Sequence, residues 1–470
     1  MRTILILILI SLSALFLFCL APSQLSARDT VRVTFGEFAE IAKNYSSNLE
    51  ARQRNVSLAQ NRIKQAQNTR FLPNLNLTTA HGLVPGVTSQ DPDLSSGQFY
   101  LDPDLENDWE DWGIFTQAEI SGVQPIYTWG AIGNAINAAQ KGADAAQFEY
   151  EAEKESFEIQ LFELYQSALL ARELGRLVDD AKSQLREAER ELERLQEEGD
   201  ESIEEKDIFE FRIFQAEFQA LISEFTQTRD FVQRSWDLVL AAGPNTVFLP
   251  AERFFDPVPV QIQEYDFYKN SALQNRAELK GIDAARQAAQ YGIDAARAEY
   301  YPSLVLGLSA GLGYTPNRPR QTNPFIRNTT NFLSARVGFG FQQNLNFRQV
   351  STNVERSEIR KRQADDFYDA ARDGILLEIS DRYREAKIKE SQKESKSSAL
   401  RISNEWLRTE QIDFDIGFGD IQNLVDAVKK QMELELEVAE LTFDLNIKVA
   451  RLHRSAGLSL DDLMPDTSDR

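Results

Sequence analysis

The sequence predicts a mainly α-helical protein with a transmembrane β portion, assembled as an internal duplication. Three observations carry that prediction. Phe71-Leu72-Pro73-Asn74-Leu75 and Tyr300-Tyr301-Pro302-Ser303-Leu304 each close a polar helical pattern and open a run of period-two alternation, about 230 residues apart. Proline cannot continue a helix, so Pro73 and Pro302 read as helix-to-strand switches. After each pair of alternating runs comes a long tract without proline. The first of these, residues 131–198, would reach roughly 100 Å as a helix.

In order along the chain, the start reads as a secretory signal. Arg2 is followed by an apolar run from Ile4 to Leu20 and then by Leu25-Ser26-Ala27, a cleavage pattern, so residues 1–27 are expected to be removed. The competing reading is a membrane anchor, but the run is barely long enough to span and lacks a basic flank downstream. The single cysteine, Cys19, lies inside this segment, and Phe18 stands where lipidation would want a small residue. Without Cys19, disulfides, thiol catalysis and cysteine-ligated metal are excluded. The formal charge of −22 argues against nucleic acid as a partner.

Residues 34–70 and 264–301 read as helix. They align through Ala42 with Ala272, Leu49 with Leu279 and Pro73 with Pro302. In the second repeat Leu304, Leu306, Leu308, Ala310 and Leu312 alternate with small and polar residues. The partner run sets Leu333, Ala335, Val337, Phe339 and Phe341 against Ser334, Arg336, Gly338, Gly340 and Gln342. In the first repeat the signals are weaker: Leu75 and Leu77, then Ile114, Ala118 and Ile120 against Gln117, Glu119 and Ser121. Strands of about thirteen residues, tilted about 45°, cover roughly 30 Å, the height of a membrane wall. Tyr300, Tyr301, Tyr314, Trp112, Tyr127 and Trp129 flank them as aromatic girdles would. A soluble sandwich edge would alternate in the same way.

The loop 90–112 carries eight acids and no Lys or Arg, whereas 314–331 carries Arg318, Arg320 and Arg327 and no acid. The plain reading is two solvated loops; the sharper one is that opposite charges meet at the outer mouth. In residues 131–198, Val178, Ala181, Leu185, Ala188, Leu192 and Leu195 form a 3,4-spaced seam. The tract breaks at 198–202, and a helix returns over 204–242 with Ser202 as a candidate N-cap. Its counterpart runs over 352–411, breaks at Asp415-Ile416-Gly417-Phe418-Gly419-Asp420 and returns through Gly457. The expected organisation is therefore signal 1–27, first repeat 28–242, linker 243–263 with short strands, second repeat 264–457 and tail 458–470.

In this order of elements the chain resembles the TolC-like outer membrane efflux proteins. Gln124-Pro125-Ile126-Tyr127-Thr128-Trp129-Gly130 is similar to that family's exit from the second strand into the long helix. The equivalent Gln343-Asn344-Leu345-Asn346-Phe347 lacks the proline and the glycines. Gly417 to Ala427 is similar to the family's turn at the periplasmic tip. The resemblance implies a homotrimer in which each protomer gives four strands to a shared twelve-stranded β-barrel and helices to an α-barrel tunnel. It also implies a periplasmic adaptor and an inner-membrane transporter as partners, and outer membrane lipid around the barrel. Independently, four strands cannot close a barrel and would leave open edges in lipid.

No phosphate loop, dinucleotide fingerprint or H-E-x-x-H occurs, and His81 and His453 read as surface or packing residues. No catalytic, cofactor-binding or metal residue is assigned, and an enzyme is not expected. The candidate gate acids are Asp413, Asp415 and Asp420, which in a trimer would form rings of negative charge. The ordinary alternative is a solvated helix end, where acids near an N-terminus are favoured. Gly199, Ser202, Gly417, Phe418 and Gly419 are the candidate adaptor contacts. The expected function is a passive outer membrane exit duct. The runner-up is a periplasmic coiled-coil adaptor, which would carry one compact β block and not two strand pairs.

Overall fold

The structure, a computed structural model, describes residues 29–464 except 92, 95–97, 199–204, 322, 324, 327 and 417–420, and omits the side chains of 100, 191, 195, 198, 207, 415 and 421. The signal segment with Cys19 and the tip residues Gly199, Ser202, Gly417, Phe418, Gly419 and Asp420 lie outside the described residues. The chain divides into two compact units. One comprises Met1–Ser47, Ser156–Tyr268 and Ser380–Arg470; the other comprises Asn48–Glu155 and Lys269–Ile379. Each unit draws segments from both repeats.

The first unit begins with β1 (Asp29–Val33), paired in parallel with β4 (Thr246–Pro250). β4 is one of the short strands expected in the linker; β1 was too short to show in the sequence pattern. Helix α1 (Phe35–Tyr45) starts at a capping box: Thr34 N donates to Glu37 Oε2 at 2.8 Å, and Glu37 N donates to Thr34 Oγ1 at 3.4 Å. Its apolar face, Phe35, Phe38, Ala39 and Ala42, enters a core shared with Phe162 and Tyr165 of α3 (Ala131–Glu198) and Trp236 of α4 (Glu205–Val239). Phe38 and Trp236 lie 4.4 Å apart, and Tyr165 stacks on Trp236 at 5.4 Å. Burying side chains of this size contributes about 1.5–3 kcal/mol each, which makes this cluster the anchor of the unit. The Tyr165 hydroxyl donates to the Val33 carbonyl at 2.8 Å and to Glu252. The linker is tied down by Asn446 of α8 (Ile421–Ser455), which accepts from Val258 N at 2.8 Å and donates to the Asp256 carbonyl and to Gln166, each at 3.1 Å.

The predicted seam packs in this unit. Ala181, Leu185 and Leu192 are buried, and Phe211, Phe218 and Met432 help to cover the part around Ala181 and Leu185. His453 is buried against the ring of Tyr268 at 5.9 Å, and His81 is exposed, so both are the packing and surface residues expected.

The second unit holds a four-stranded antiparallel sheet in the order β2 (Asn74–Thr88), β3 (Glu106–Tyr127), β5 (Ser303–Tyr314), β6 (Phe332–Gln342). β3 starts within the stretch expected to be loop. Its first residues, Glu106 to Asp108, pair with Gly86–Thr88 across a bulge that opens after Pro85. Glu106, Asn107 and Asp108 put polar side chains on both faces there, which hides the strand from an apolar-alternation test.

Two helices expected to be continuous are broken. Residues 34–70 form α1 and α2 (Ser47–Asn68), with Ser46 extended at φ −77°, ψ 101°. Residues 264–301 form α5 (Tyr265–Asn275) and α6 (Ala277–Ala298), with Arg276 extended at φ −62°, ψ 123°. Asn44, Ser46, Ser47 and Asn48 compete with the helix through short polar side chains, as does Asn275. Arg276 is buried and ion-paired with Glu278 at 3.1 Å and Glu378 at 2.5 Å. The last long helix, α7 (Phe347–Asp415), starts earlier than expected because Asn346 caps it: Gln349 N donates to Asn346 Oδ1 at 3.2 Å.

Candidate conducting wall and its ends

The strand register sorts the sheet into two chemically different faces. Directly opposed residues share a face. Leu77 opposes Ile120, Ile120 opposes Ala310, and Ala310 opposes Ala335. One step along, Gly122, Leu308 and Val337 align, then Gln124, Leu306 and Phe339. This face is mainly apolar, with Thr79, His81, Thr116 and Gln124 as its polar members, and Leu77, Ile120, Leu333, Phe339 and Phe341 are exposed on it. The opposite face carries Thr78 beside Glu119 and Gly311, and Ser121 beside Ser309 and Arg336. The weaker alternation of the first repeat thus merges with the strong alternation of the second into one two-faced sheet.

The switches sit at one end of this sheet. The helix before Pro302 tightens, with Glu299, Tyr300 and Tyr301 donating to carbonyls three residues back at 3.1–3.2 Å, and β5 begins at Ser303. Ahead of Pro73, Leu72 takes a positive φ of 39°, a strained backbone for leucine. Its N–H is captured by Gln124 Oε1 at 2.7 Å, and Gln124 Nε2 donates to the Arg70 carbonyl at 2.8 Å. Gln343 repeats the second bond, to the Tyr300 carbonyl at 3.1 Å. Trp129 and Gly130 both turn left-handed, at φ 52° and 86°, to redirect the chain from β3 into α3. The Trp129 indole donates to the Pro302 carbonyl at 3.0 Å, and its ring lies 5.1 Å from Tyr127 and 5.0 Å from Tyr301. The sequence showed these aromatics as a belt; that Trp129 locks the two repeats together was not visible in it.

At the other end the two loops meet through hydrogen bonds of Arg318 and Asn317, while Arg327 lies outside the described residues. Arg318 donates to the Pro85 carbonyl at 2.9 and 2.7 Å and to Asn107 Oδ1 at 3.3 Å, and Asn317 donates to the Asp111 carbonyl at 3.1 Å. The acceptors of Arg318 are the Pro85 carbonyl, which the bulge after Pro85 turns out of the ladder, and the Asn107 side-chain oxygen.

Of the candidate gate acids, Asp413 is half-buried in the last turn of α7, and Asp415 is the helix's final residue. Neither sits at a helix N-terminus, so the favourable dipole of a solvated helix start does not explain them; acids in a last turn face the helix's partial negative charge. The last turn of α7 contains no base, nor does that of α3. Beside these ends Gln422 donates to Glu210 at 3.1 Å, and Lys429 lies over the Phe214 ring at 5.4 Å. Among the described residues no group of three or more His, Cys, Asp or Glu is placed to hold a metal ion. No described helix is long and apolar enough to cross a membrane.

Residues 269–458 match the family model described as outer membrane efflux protein. The chain is 24% identical over 159 residues to the outer membrane protein TolC of Vibrio cholerae serotype O1, a stretch covering 34% of each protein, so the alignment spans about a third of that relative. The fold is similar to that of the MtrE outer membrane channel of Neisseria gonorrhoeae, with TM-score 0.68, 15% identity, and 92% of this chain and 90% of that one covered. It is similar also to the outer membrane protein VceC of Vibrio cholerae, with TM-score 0.67, 15% identity, and 90% and 96% covered. The second repeat thus carries the outer membrane efflux protein pattern, and the chain has the TolC-like fold.

Proposed function

We propose that the protein is a passive exit duct of the outer membrane. Three copies close a twelve-stranded barrel from their four-stranded sheets, and their helices form a tunnel in the periplasm. The observation that carries this reading is the two-faced sheet with both edge strands, β2 and β6, open. In lipid an open edge leaves backbone groups unpaired, so β6 of one copy must meet β2 of the next. The apolar face then meets acyl chains, and the face with Glu119, Ser309 and Arg336 meets water.

An inner-membrane transporter supplies the energy, and a periplasmic adaptor joins it to the tip through Gly199, Ser202, Gly417, Phe418 and Gly419. Asp413, Asp415 and Asp420 narrow the resting tip as rings of negative charge, which attract cations. The last-turn position of Asp413 and Asp415 supports this, since a helix end gains nothing from acids there. The adaptor opens the tip by binding its open form more tightly than its closed form. The role assigned is conduction, with no bond made or broken.

Purified protein in planar bilayers is expected to give discrete, cation-preferring channels, and outer membrane fractions are expected to show heat-modifiable migration. Recovery from the soluble periplasm would sink the duct and favour the adaptor reading. The variant Asp413→Asn/Asp415→Asn/Asp420→Asn should raise conductance and weaken cation preference; an unchanged channel removes the gate assignment.

A further inference from the structure

The acidic charge of this chain is not spread evenly. Residues 51–72, which lead into the first switch, hold Arg52, Arg54, Arg62, Lys64 and Arg70 and no acid. The first residues of α7, leaving the sheet on the same side, hold Arg348 and Arg356 with Glu355 as the nearby acid. Arg52 pairs with Glu153 at 3.0 Å and Arg54 with Glu50 at 2.8 Å. Arg62, Lys64, Arg70, Arg348 and Arg356 are exposed and make no ion pair among the described residues. In a protein of net charge −22, five free bases gathered near the helix-to-strand switches need a negative partner from outside the chain.

The position decides which partner. Arg70 is three residues before Pro73, and Arg348 is the second residue of α7. Lys64, Arg62 and Arg356 lie about 9–12 Å farther along their helices at about 1.5 Å per residue. Long basic side chains reach back several ångströms along a helix, and their field extends about 8 Å at physiological salt. The same end of the sheet carries the Tyr127–Trp129–Tyr301 cluster, an arrangement suited to a membrane–water boundary. The bases therefore stand where lipid headgroups would lie, just beyond the apolar face.

We propose that Arg62, Lys64, Arg70, Arg348 and Arg356 form a collar that binds the anionic phospholipid headgroups of the adjoining leaflet. The inference rests on the proposed membrane placement of the sheet. Each guanidinium supplies a planar fork for a phosphate, and Lys64 supplies a point charge. The collar fixes the height of the barrel in the bilayer and recruits phosphatidylglycerol in preference to zwitterionic lipid.

The test is native mass spectrometry of the detergent-purified full-length protein. It is mixed with equal amounts of dioleoyl phosphatidylglycerol and dioleoyl phosphatidylcholine. The wild type should retain phosphatidylglycerol with about a fivefold or greater preference, in line with several bases acting at a lipid surface. Lys64→Gln/Arg70→Gln/Arg348→Gln should lose most of that preference. Lys393→Gln/Arg401→Gln/Arg408→Gln, which removes the same charge from a distant part of α7, should keep it. Equal retention of the two lipids by the wild type, or an undiminished preference in the collar variant, overturns the proposal. Bilayer conductance of the same preparations separates the two readings: channels without lipid preference refute the collar alone, and no channels refute the duct.

Discussion

Gln343 donates from Nε2 to the Tyr300 carbonyl at 3.1 Å, in the same way that Gln124 donates to the Arg70 carbonyl at 2.8 Å. Each glutamine stands just past or near the end of the second strand of its repeat and holds the chain entering the first strand. The second repeat lacks the proline and the glycine that mark the first, with Asn344 where Pro125 stands. The hydrogen bond has survived that loss. The duplication is thus kept at the level of the contact, and the glutamine, not the proline, is its retained part.

The two glutamines are not equivalent in effect. Gln124 also satisfies the N–H of Leu72, whose left-handed backbone leaves few other ways to pair it. Gln124→Ala is expected to cost about 0.5–1.5 kcal/mol, the net worth of an ordinary hydrogen bond, since Leu72 and Gln124 are only half-buried. Gln343→Ala should cost less. The readout is the temperature at which the heat-modifiable form converts on a gel. Equal shifts for both variants would mean that the Leu72 contact carries nothing.

The long helices and the two-faced sheet were legible in the sequence because each repeats a period: 3.5 along the seam from Val178 to Leu192, and two along Leu304 to Leu312. What stayed hidden lacks a period. The extended residues Ser46 and Arg276 interrupt their helices without Pro or Gly, and only the ion pairs of Arg276 explain its place. The strand start at Glu106 is masked by polar residues, since exposed backbone tolerates charge on either face. Asp413 and Asp415 could be found as acids by counting, but their position at the C-terminal end of α7, which makes them unusual, needed the helix boundary.

Arg276 tests that last kind of feature. Its guanidinium is buried, whereas the Glu278 and Glu378 side chains are 29% and 32% exposed. Arg276→Ala is expected to destabilise by about 1–3 kcal/mol, below the cost of breaking a fully buried pair because water can reach the two carboxylates. Arg276→Lys keeps the charge but not the fork and should recover part of this. Hydrogen exchange should quicken around residues 270–285 in the alanine variant; an unchanged rate there would show that the helix break does not depend on the pair.

His453 makes stability depend on pH. Burial lowers its pKa, and the Ser459 backbone and Asp462 only partly oppose that shift. A depressed folded value favours the neutral ring, so its contribution is present above the unfolded value of about 6.5 and is lost as pH falls below it. The thermal midpoint of the wild type should therefore drop between about pH 7.5 and pH 5.5, and His453→Gln should flatten that part of the profile. A variant profile as steep as the wild type would assign the acid sensitivity to other groups.

Two glycines on the polar face of the sheet lie beneath phenylalanine rings, one in each hairpin. Gly82 opposes Phe115, and Gly313 opposes Phe332. A Cβ on Gly82 would stand 2.4 Å from the Phe115 ring, and one on Gly313 would stand 2.5 Å from the Phe332 ring. No ordinary contact is that close, so each ring occupies the space that a side chain on its partner strand would fill. On the proposed inner wall, this keeps two bulky side chains out of the bore. Gly82→Val should lift Phe115 from the sheet and lower the single-channel conductance, and Gly313→Val should act likewise through Phe332. The effect should belong to the pair: Gly82→Val/Phe115→Ala is expected to regain conductance, because the smaller side chain no longer needs the space above residue 82. A Gly82→Val protein that reaches the outer membrane and conducts as the wild type does would show that the Phe115 ring is not held out of the water path by its glycine.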